Sequence, residues 1–247
     1  MDLVCYRAND KSISKIKNYI SSQCLKVANN AMFETTYEDV QSHLFGDENA
    51  ILTLVFDENM EIKGFAILAE IEIEDKILLH LHGMVLEPEI QKSGVFRELI
   101  SKNVGFSQGT YIEKDEKPKE ILGLSARTHN PAVYVAIDKI CDEIHPNLQG
   151  EAPDDIVDIL RKNPFVKVEG SDLVQKDAYT LPKINSKVSE NGINELFDGI
   201  NELDAILILG EGLKNLDEDF VKEGAIDAQT INRELDFAEQ VEYDRVV

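Results

Sequence analysis

The spacing of apolar residues changes several times along the chain, and each change marks an element. Residues 3–8 (LVCYRA) read as a short first strand. Across 12–28, Ile13, Ile16, Ile20, Cys24 and Val27 recur at spacings of three and four, which predicts an amphipathic helix with Asp10 or Ser12 as its cap. Val40 and Leu44 share one face of a second short helix over 37–45. The pattern then becomes strand-like. An apolar run at 50–57, a segment at 61–73 ending in alternating Glu70-Ile71-Glu72-Ile73, and a segment at 77–86 (ILLHLHGMVL) are joined by short polar turns. Such short connections predict an antiparallel meander.

After Pro88 the helical period returns. Val95, Leu99, Ile100 and Val104 lie on one side of a helix over 94–106, followed by a charged loop at 110–119 and a strand at 120–127. Asn130-Pro131 opens another helix, because Asn caps well and Pro suits the first helical position. Val133, Ile137 and Ile140 line its apolar face. Residues 145–190 are less regular, punctuated by Pro146, Gly150 and Pro153, with a helix at 154–162. Residues 204–210 (DAILILG) form an apolar strand. From 212 the chain is rich in acids, and Ile226, Ile231, Leu235 and Ala238 permit a final helix or a partner-binding tail.

The 247 residues are 43% hydrophobic, enough to bury a core in one large α/β domain or one domain with a small appendage. No apolar stretch approaches the roughly 20 residues that span a bilayer. The start, Met1-Asp2-Leu3-Val4-Cys5, lacks the basic and apolar regions of a signal peptide, so the expected location is the cytoplasm and no membrane partner is expected. Cys5, Cys24 and Cys141 are widely spaced and read as small buried apolar residues, with no disulfide framework and no metal-ligand spacing. A formal charge of −22 argues against nucleic acid, whose phosphates need clustered Lys and Arg. Two readings of that charge stay open: solubility alone, or attraction of a cationic acceptor.

The stretch Leu86-Glu87-Pro88-Glu89-Ile90-Gln91-Lys92-Ser93-Gly94-Val95-Phe96 lies between a predicted strand and a predicted helix. Amides at a helix start have no intrahelical acceptor and face the positive end of its dipole, which suits a pyrophosphate. Gly94 lets a ligand approach the backbone, and Lys92 adds a positive charge. An ordinary strand-to-helix loop containing a glycine is the competing reading. Neither GxxxxGK[ST] nor GxGxxG occurs in this loop.

This loop resembles the acyl-CoA pyrophosphate loop of the general N-acetyltransferase (GNAT) superfamily, Q/R-x-x-G-x-G/A preceded by V-x-P. Leu86 stands for the Val, Pro88, Gln91 and Gly94 match, and Phe96 departs from the final Gly/Ala. Arg127-Thr128-His129-Asn130-Pro131-Ala132-Val133-Tyr134 resembles the superfamily segment in which a strand ends, an Asn begins a helix and a Tyr follows. Here Tyr134 follows Asn130 by one turn rather than about two. The order of elements over 3–142, with 204–210 as a late strand, is similar as well. The NPxVY wording resembles a less studied branch with a longer C-terminal portion.

The resemblance implies a mixed, mostly antiparallel central sheet flanked by helices and splayed where acyl-pantetheine lies. It places an acyltransferase domain at 1–211, with a family-specific insertion at 145–200, and an acidic tail or helix at 212–247. It further implies an N-acyltransferase using acetyl-CoA, with coenzyme A as product; the charge of −22 is what points to a small amine or a basic peptide as acceptor. The cofactor residues it implies are Met84, Val85, Leu86, Gln91, Lys92, Ser93, Gly94, Val95, Phe96, Asn130 and Tyr134, and it implies no metal.

Acyl transfer to an amine needs a base for the ammonium, a polarised thioester oxygen and a proton for the departing thiolate. His80 and His82 are candidate bases on one strand face, shared with Met84. Glu70 and Glu72 are further options, and Glu87 reads as a support for the loop. Tyr134 is the candidate proton donor. Each has a structural reading beside it: a satisfied or solvated histidine, a solvated glutamate, a packed tyrosine. His129 is either a substrate contact or a solvated loop histidine. A non-catalytic CoA-binding or protein-interaction module is the alternative to the enzyme.

Overall fold

The computed structural model describes residues 1–31, 35–113, 116–168, 170, 173–179, 188–190 and 192–230. The chain forms β1 (Asp2–Arg7), α1 (Lys11–Ala31), α2 (Tyr37–Phe45), β2 (Ile51–Phe56), β3 (Ile62–Ile73), β4 (Lys76–Leu86) and a 3-10 turn at Pro88–Ile90. It continues with α3 (Val95–Glu113), β5 (Glu120–Thr128), α4 (Pro131–Asp138), β6 (Cys141–His145) and α5 (Asp154–Arg161). The last elements are β7 (Val174–Gln175), α6 (Ile193–Asp198), β8 (Ala205–Leu213) and α7 (Glu218–Thr230). This is a mixed α/β fold with strand order β1-β2-β3-β4-β5-β8-β6 and β7 beside β8. The β1–β2, β2–β3, β5–β8, β6–β8 and β7–β8 pairs are antiparallel and β4–β5 is parallel, so the sheet is mostly antiparallel, and its β2–β3 pair is joined by a short turn as the sequence predicts.

The elements divide into two compact units. The first holds Met1–Glu70, His82–Lys119 and the chain from Asp217. In it, the helical spacing of Ile13, Ile20, Cys24 and Val27 puts them on one buried face of α1, against Val40 and Leu44 of α2 and Leu52, Leu54, Phe65 and Ile67 of the sheet. Each such side chain contributes about 1.5–3 kcal/mol on burial. Thr36 caps α2 by accepting from the Asp39 amide at 3.1 Å.

Also in this unit, α3 and α7 meet backbone to backbone. A Cβ on Gly105 would lie 1.9 Å from the Val221 carbonyl oxygen, and one on Gly224 would lie 2.0 Å from that of Lys102. Lys102 is buried beside this contact and satisfied there. Its Nζ donates to the Leu3 carbonyl and lies 3.3 Å from both Glu223 Oε2 and Asp227 Oδ2.

The second unit holds Ile71–Leu81 and Glu120–Leu216. Its core joins Ile71, Ile73, Leu78, Leu207 and Leu209 of the strands to Ile156, Val157 and Leu160 of α5. The parallel β4–β5 ladder runs from Lys76↔Glu120 to Leu81↔Ala126, and β4 continues to Leu86. Asn130 caps α4, its side chain accepting from the Ala132 amide at 3.0 Å, with Pro131 as first helical residue.

Some boundaries depart from the sequence pattern. The helix expected at 94–106 runs on to Glu113, taking the start of the expected charged loop. Ile140 is buried but lies past the end of α4. β6, β7 and α6 carry no pattern that announced them. The acid-rich stretch contains α7, whereas Ile231, Leu235 and Ala238 lie outside the described residues. No described helix is long and apolar enough to cross a membrane.

Candidate functional site

The loop after β4 is held from within. Leu86 fits into space left by Gly64, where a Cβ would come within 2.6 Å of the leucine side chain. The Glu87 amide donates to the Lys63 carbonyl at 2.9 Å. The buried Glu87 carboxylate accepts from Asn30 Nδ2 at 3.1 Å and lies 3.5 Å from Lys63 Nζ. Glu87 is thus a support for the loop. Asn30 and Lys63 are the supports that sequence reasoning missed, since they stand far from the motif with no local signal. Gln91 Nε2 donates to the Leu86 carbonyl at 2.9 Å, and Ser93 Oγ donates to the Ile90 carbonyl at 2.6 Å.

The backbone of the loop changes hand twice. Lys92 has φ 65° and Gly94 has φ 96°, two left-handed residues flanking Ser93. Alternating backbone hand is the arrangement in which successive amides can turn toward one side. Among the described residues, the first amide of this region with an acceptor is Arg97, which donates to the Gly94 carbonyl at 2.9 Å. The amides of Lys92, Ser93, Gly94, Val95 and Phe96 are left for a ligand or water. A Cβ on Gly94 would meet nothing within 4 Å, so the space beside this backbone is open. Val95 is buried and roots α3, Phe96 is half-buried, and Lys92, Ser93 and Gly94 are exposed. On the same unit, His82, Met84 and Val85 are half-exposed along the end of β4.

The other predicted residues are placed differently. His80 is buried in the second unit, with Nδ1 2.9 Å from Ser125 Oγ and its ring stacked on Phe165 at 6.1 Å. Its surroundings are those of a packed, bonded core histidine. Tyr134 is buried as well. Its hydroxyl donates to the Pro146 carbonyl at 2.8 Å, and its ring meets Phe197 edge-on at 6.4 Å. Burial, with Asp138 nearby, pushes the Tyr134 hydroxyl up to about 12. The one-turn spacing from Asn130 therefore aims this phenol at backbone. His129 is buried with Nδ1 2.9 Å from the Asp204 carbonyl, not solvated as a loop histidine would be.

Glu70 of β3 is ion-paired to Arg7 at 2.7 Å, while Glu72 is exposed. All three cysteines are buried, and burial pushes the Cys5 and Cys141 thiols up to about 12, which removes them as nucleophiles near neutral pH.

No protein-family model matches the chain, and no curated protein sequence does. Solved structures similar to it include the ribosomal-protein-S18-alanine N-acetyltransferase from Escherichia coli, at 14% identity and TM-score 0.45, covering 88% of this chain and 98% of that one. An acetyltransferase of the GNAT family from Streptococcus pneumoniae is similar at 15% identity and TM-score 0.37, covering 58% of this chain and 88% of that one. A GNAT superfamily phosphinothricin acetyltransferase from Sinorhizobium meliloti, solved in complex with AcCoA, is similar at 14% identity and TM-score 0.38, covering 87% of this chain and 91% of that one. Likeness of this depth does not establish a shared activity.

Proposed function

We propose that this chain is an acyl-CoA-dependent N-acyltransferase of the GNAT type, moving an acetyl or related acyl group from the CoA thioester to an amine. The observation that carries this reading is the loop at 92–96. Its left-handed Lys92 and Gly94, its unbonded amides and its position at the start of a 19-residue helix are features that support an anion site there. The match of Pro88, Gln91 and Gly94 to the superfamily motif supports a CoA pyrophosphate as that anion. In this reading the amides of 92–96 bind the pyrophosphate, Gln91 shapes the loop, Lys92 adds charge, and the pantetheine arm follows Met84–Leu86. His82, half-buried on the same unit with its Nε2 shielded from bulk solvent, is the base that removes a proton from the incoming ammonium. The amine then attacks the thioester carbonyl, the carbon–sulfur bond breaks, and the departing CoA thiolate takes up the proton that the acylated nitrogen loses. The acceptor is a small amine or a basic peptide, a choice supported by the charge of −22.

The burial of Tyr134 and His80 on structural partners favours a second reading, in which the same loop binds CoA without turnover. Calorimetry with acetyl-CoA, followed by assay of released CoA against polyamines, aminoglycosides, amino acids and basic peptides, separates the two. Saturable binding with turnover on an amine supports the enzyme. Binding without turnover across the panel supports the module. No heat and no thermal stabilisation at millimolar acetyl-CoA overturns both.

A further inference from the structure

A second site of different chemistry lies on the edge strand of the second unit. β6 and β8 pair antiparallel with Glu143 directly opposite Glu211 and His145 opposite Leu209. Side chains alternate along a strand, so Glu143 and His145 share a face, and Glu211 joins them across the ladder. Two glutamates placed directly opposite each other repel, and a sheet gains nothing from such a pair unless a cation answers it. Of the lysines nearby, Lys76 feels the Glu211 charge but has its ion pair with Glu120 at 2.9 Å, and Lys214 lies 3.4 Å from Asp142.

The distances within the cluster have a pattern of their own. His145 Nε2 lies 3.4 Å from Glu211 Oε2 and 3.9 Å from Glu143 Oε2, and the three ligand atoms all fall within 4.8 Å of one another. Both contacts lie within ion-pairing distance and are longer than a usual hydrogen bond. The 3.4 Å separation matches donors around one ion, because ligands about 2.0–2.2 Å from a tetrahedral metal stand roughly 3.4 Å apart, and a small movement of the exposed Glu143 carboxylate brings it to the same spacing. His145 Nδ1 is buried, so Nε2 is the ring nitrogen that can take part. One imidazole with two carboxylates is a donor set for a divalent ion of the zinc class, and it leaves a coordination position for water.

We infer that Glu143, His145 and Glu211 form a binding site for a divalent transition-metal ion that cross-links the edge strand β6 to β8. The site is independent of the CoA loop and of any acyl transfer. It joins a His and a Glu two residues apart to a Glu far along the sequence, so it has no local motif.

The test uses the full chain without an affinity tag and zinc chloride alone as probe. Titration calorimetry is expected to show one saturable site, and added zinc is expected to raise the thermal midpoint. Glu143→Gln, at an exposed position that does not threaten folding, is expected to weaken binding at least tenfold. His145→Gln is expected to abolish it, with the fold verified by circular dichroism. An absence of saturable binding overturns the inference, as does wild-type affinity in Glu143→Gln or in a folded His145→Gln variant.

Discussion

Gln91 donates through Nε2 to the carbonyl oxygen of Leu86 at 2.9 Å, closing the loop across its own base. The glutamine side chain thereby braces the loop. In the proposed reading, recognition falls to the amides beyond it, with Gly94 as the contact surface.

Gly94→Asp should therefore abolish acetyl-CoA binding, a loss of at least 100-fold by calorimetry. The substitution places a carboxylate where phosphate would sit and forces a side chain onto a φ of 96°. Circular dichroism should report a folded protein, since a Cβ there meets no neighbour within 4 Å. Unchanged affinity would remove the loop from the proposed site.

His82→Gln should lower turnover by about 10²–10⁴-fold, the usual worth of a general base, with acetyl-CoA affinity nearly unchanged. The same change at His80 should instead lower the unfolding midpoint, because it disturbs a ring stacked on Phe165 and bonded to Ser125. The opposite pattern in the two variants would exchange their roles.

Tyr134→Phe removes a buried hydroxyl and leaves the Pro146 carbonyl without its donor. The expected cost is about 1–2 kcal/mol of stability by urea unfolding, with saturated turnover within a factor of two of wild type. A fall of about 10² or more in turnover, with stability unchanged, would return Tyr134 to the role of proton donor.

Asp204 accepts from Lys176 Nζ at 3.0 Å, the Asp177 amide at 3.0 Å and Asn201 Nδ2 at 3.1 Å. The Lys176 bond first, and then the Asp177 amide, hold its carboxyl down to about 2. A carboxyl lowered on folding stabilises above its unfolded value, near 3.9, and that contribution disappears as pH falls toward 2. Asp204→Asn should be less stable than wild type at pH 7, and the two should converge between pH 4 and pH 2 in chemical unfolding. A difference that stays constant over that range would refute the assignment.

Gly105→Ala should destabilise by about 1–3 kcal/mol, because its methyl would lie 1.9 Å from the Val221 carbonyl oxygen and the helices must separate. A lowered urea midpoint checks this. Gly199→Ala, with no atom within 4 Å of the added carbon, is the control expected to change little.

Most of the fold can be read from the sequence where one apolar period runs unbroken. Ile13 to Val27 announce α1, and the short polar turns between 50 and 86 announce the meander. The pattern fails where a distant partner decides. Gly109 lies beyond the helix expected at 94–106, yet α3 runs on through it with α7 packed against it. Strand β6 (CDEIH) has too few apolar residues to stand out, and its pairing comes from β8. At the site, Gly94 and Gln91 can be found from the motif, but a left-handed Lys92 cannot. Alternation puts His80 and His82 on one face and says nothing of Phe165, which closes over His80.

The partners of Lys102 also set an order of events during synthesis. The lysine joins the carbonyl of Leu3 to Glu223 and Asp227, and the Cys5 amide also donates to Asp227 at 3.2 Å. The first strand thus waits for some of its partners until the ribosome has passed residue 227. Until then the glycine face of α3 is uncovered and an ammonium group destined for the interior has no carboxylate beside it. A nascent chain halted before residue 218 is left in that state, with the exposed surface on which chaperones and aggregation act.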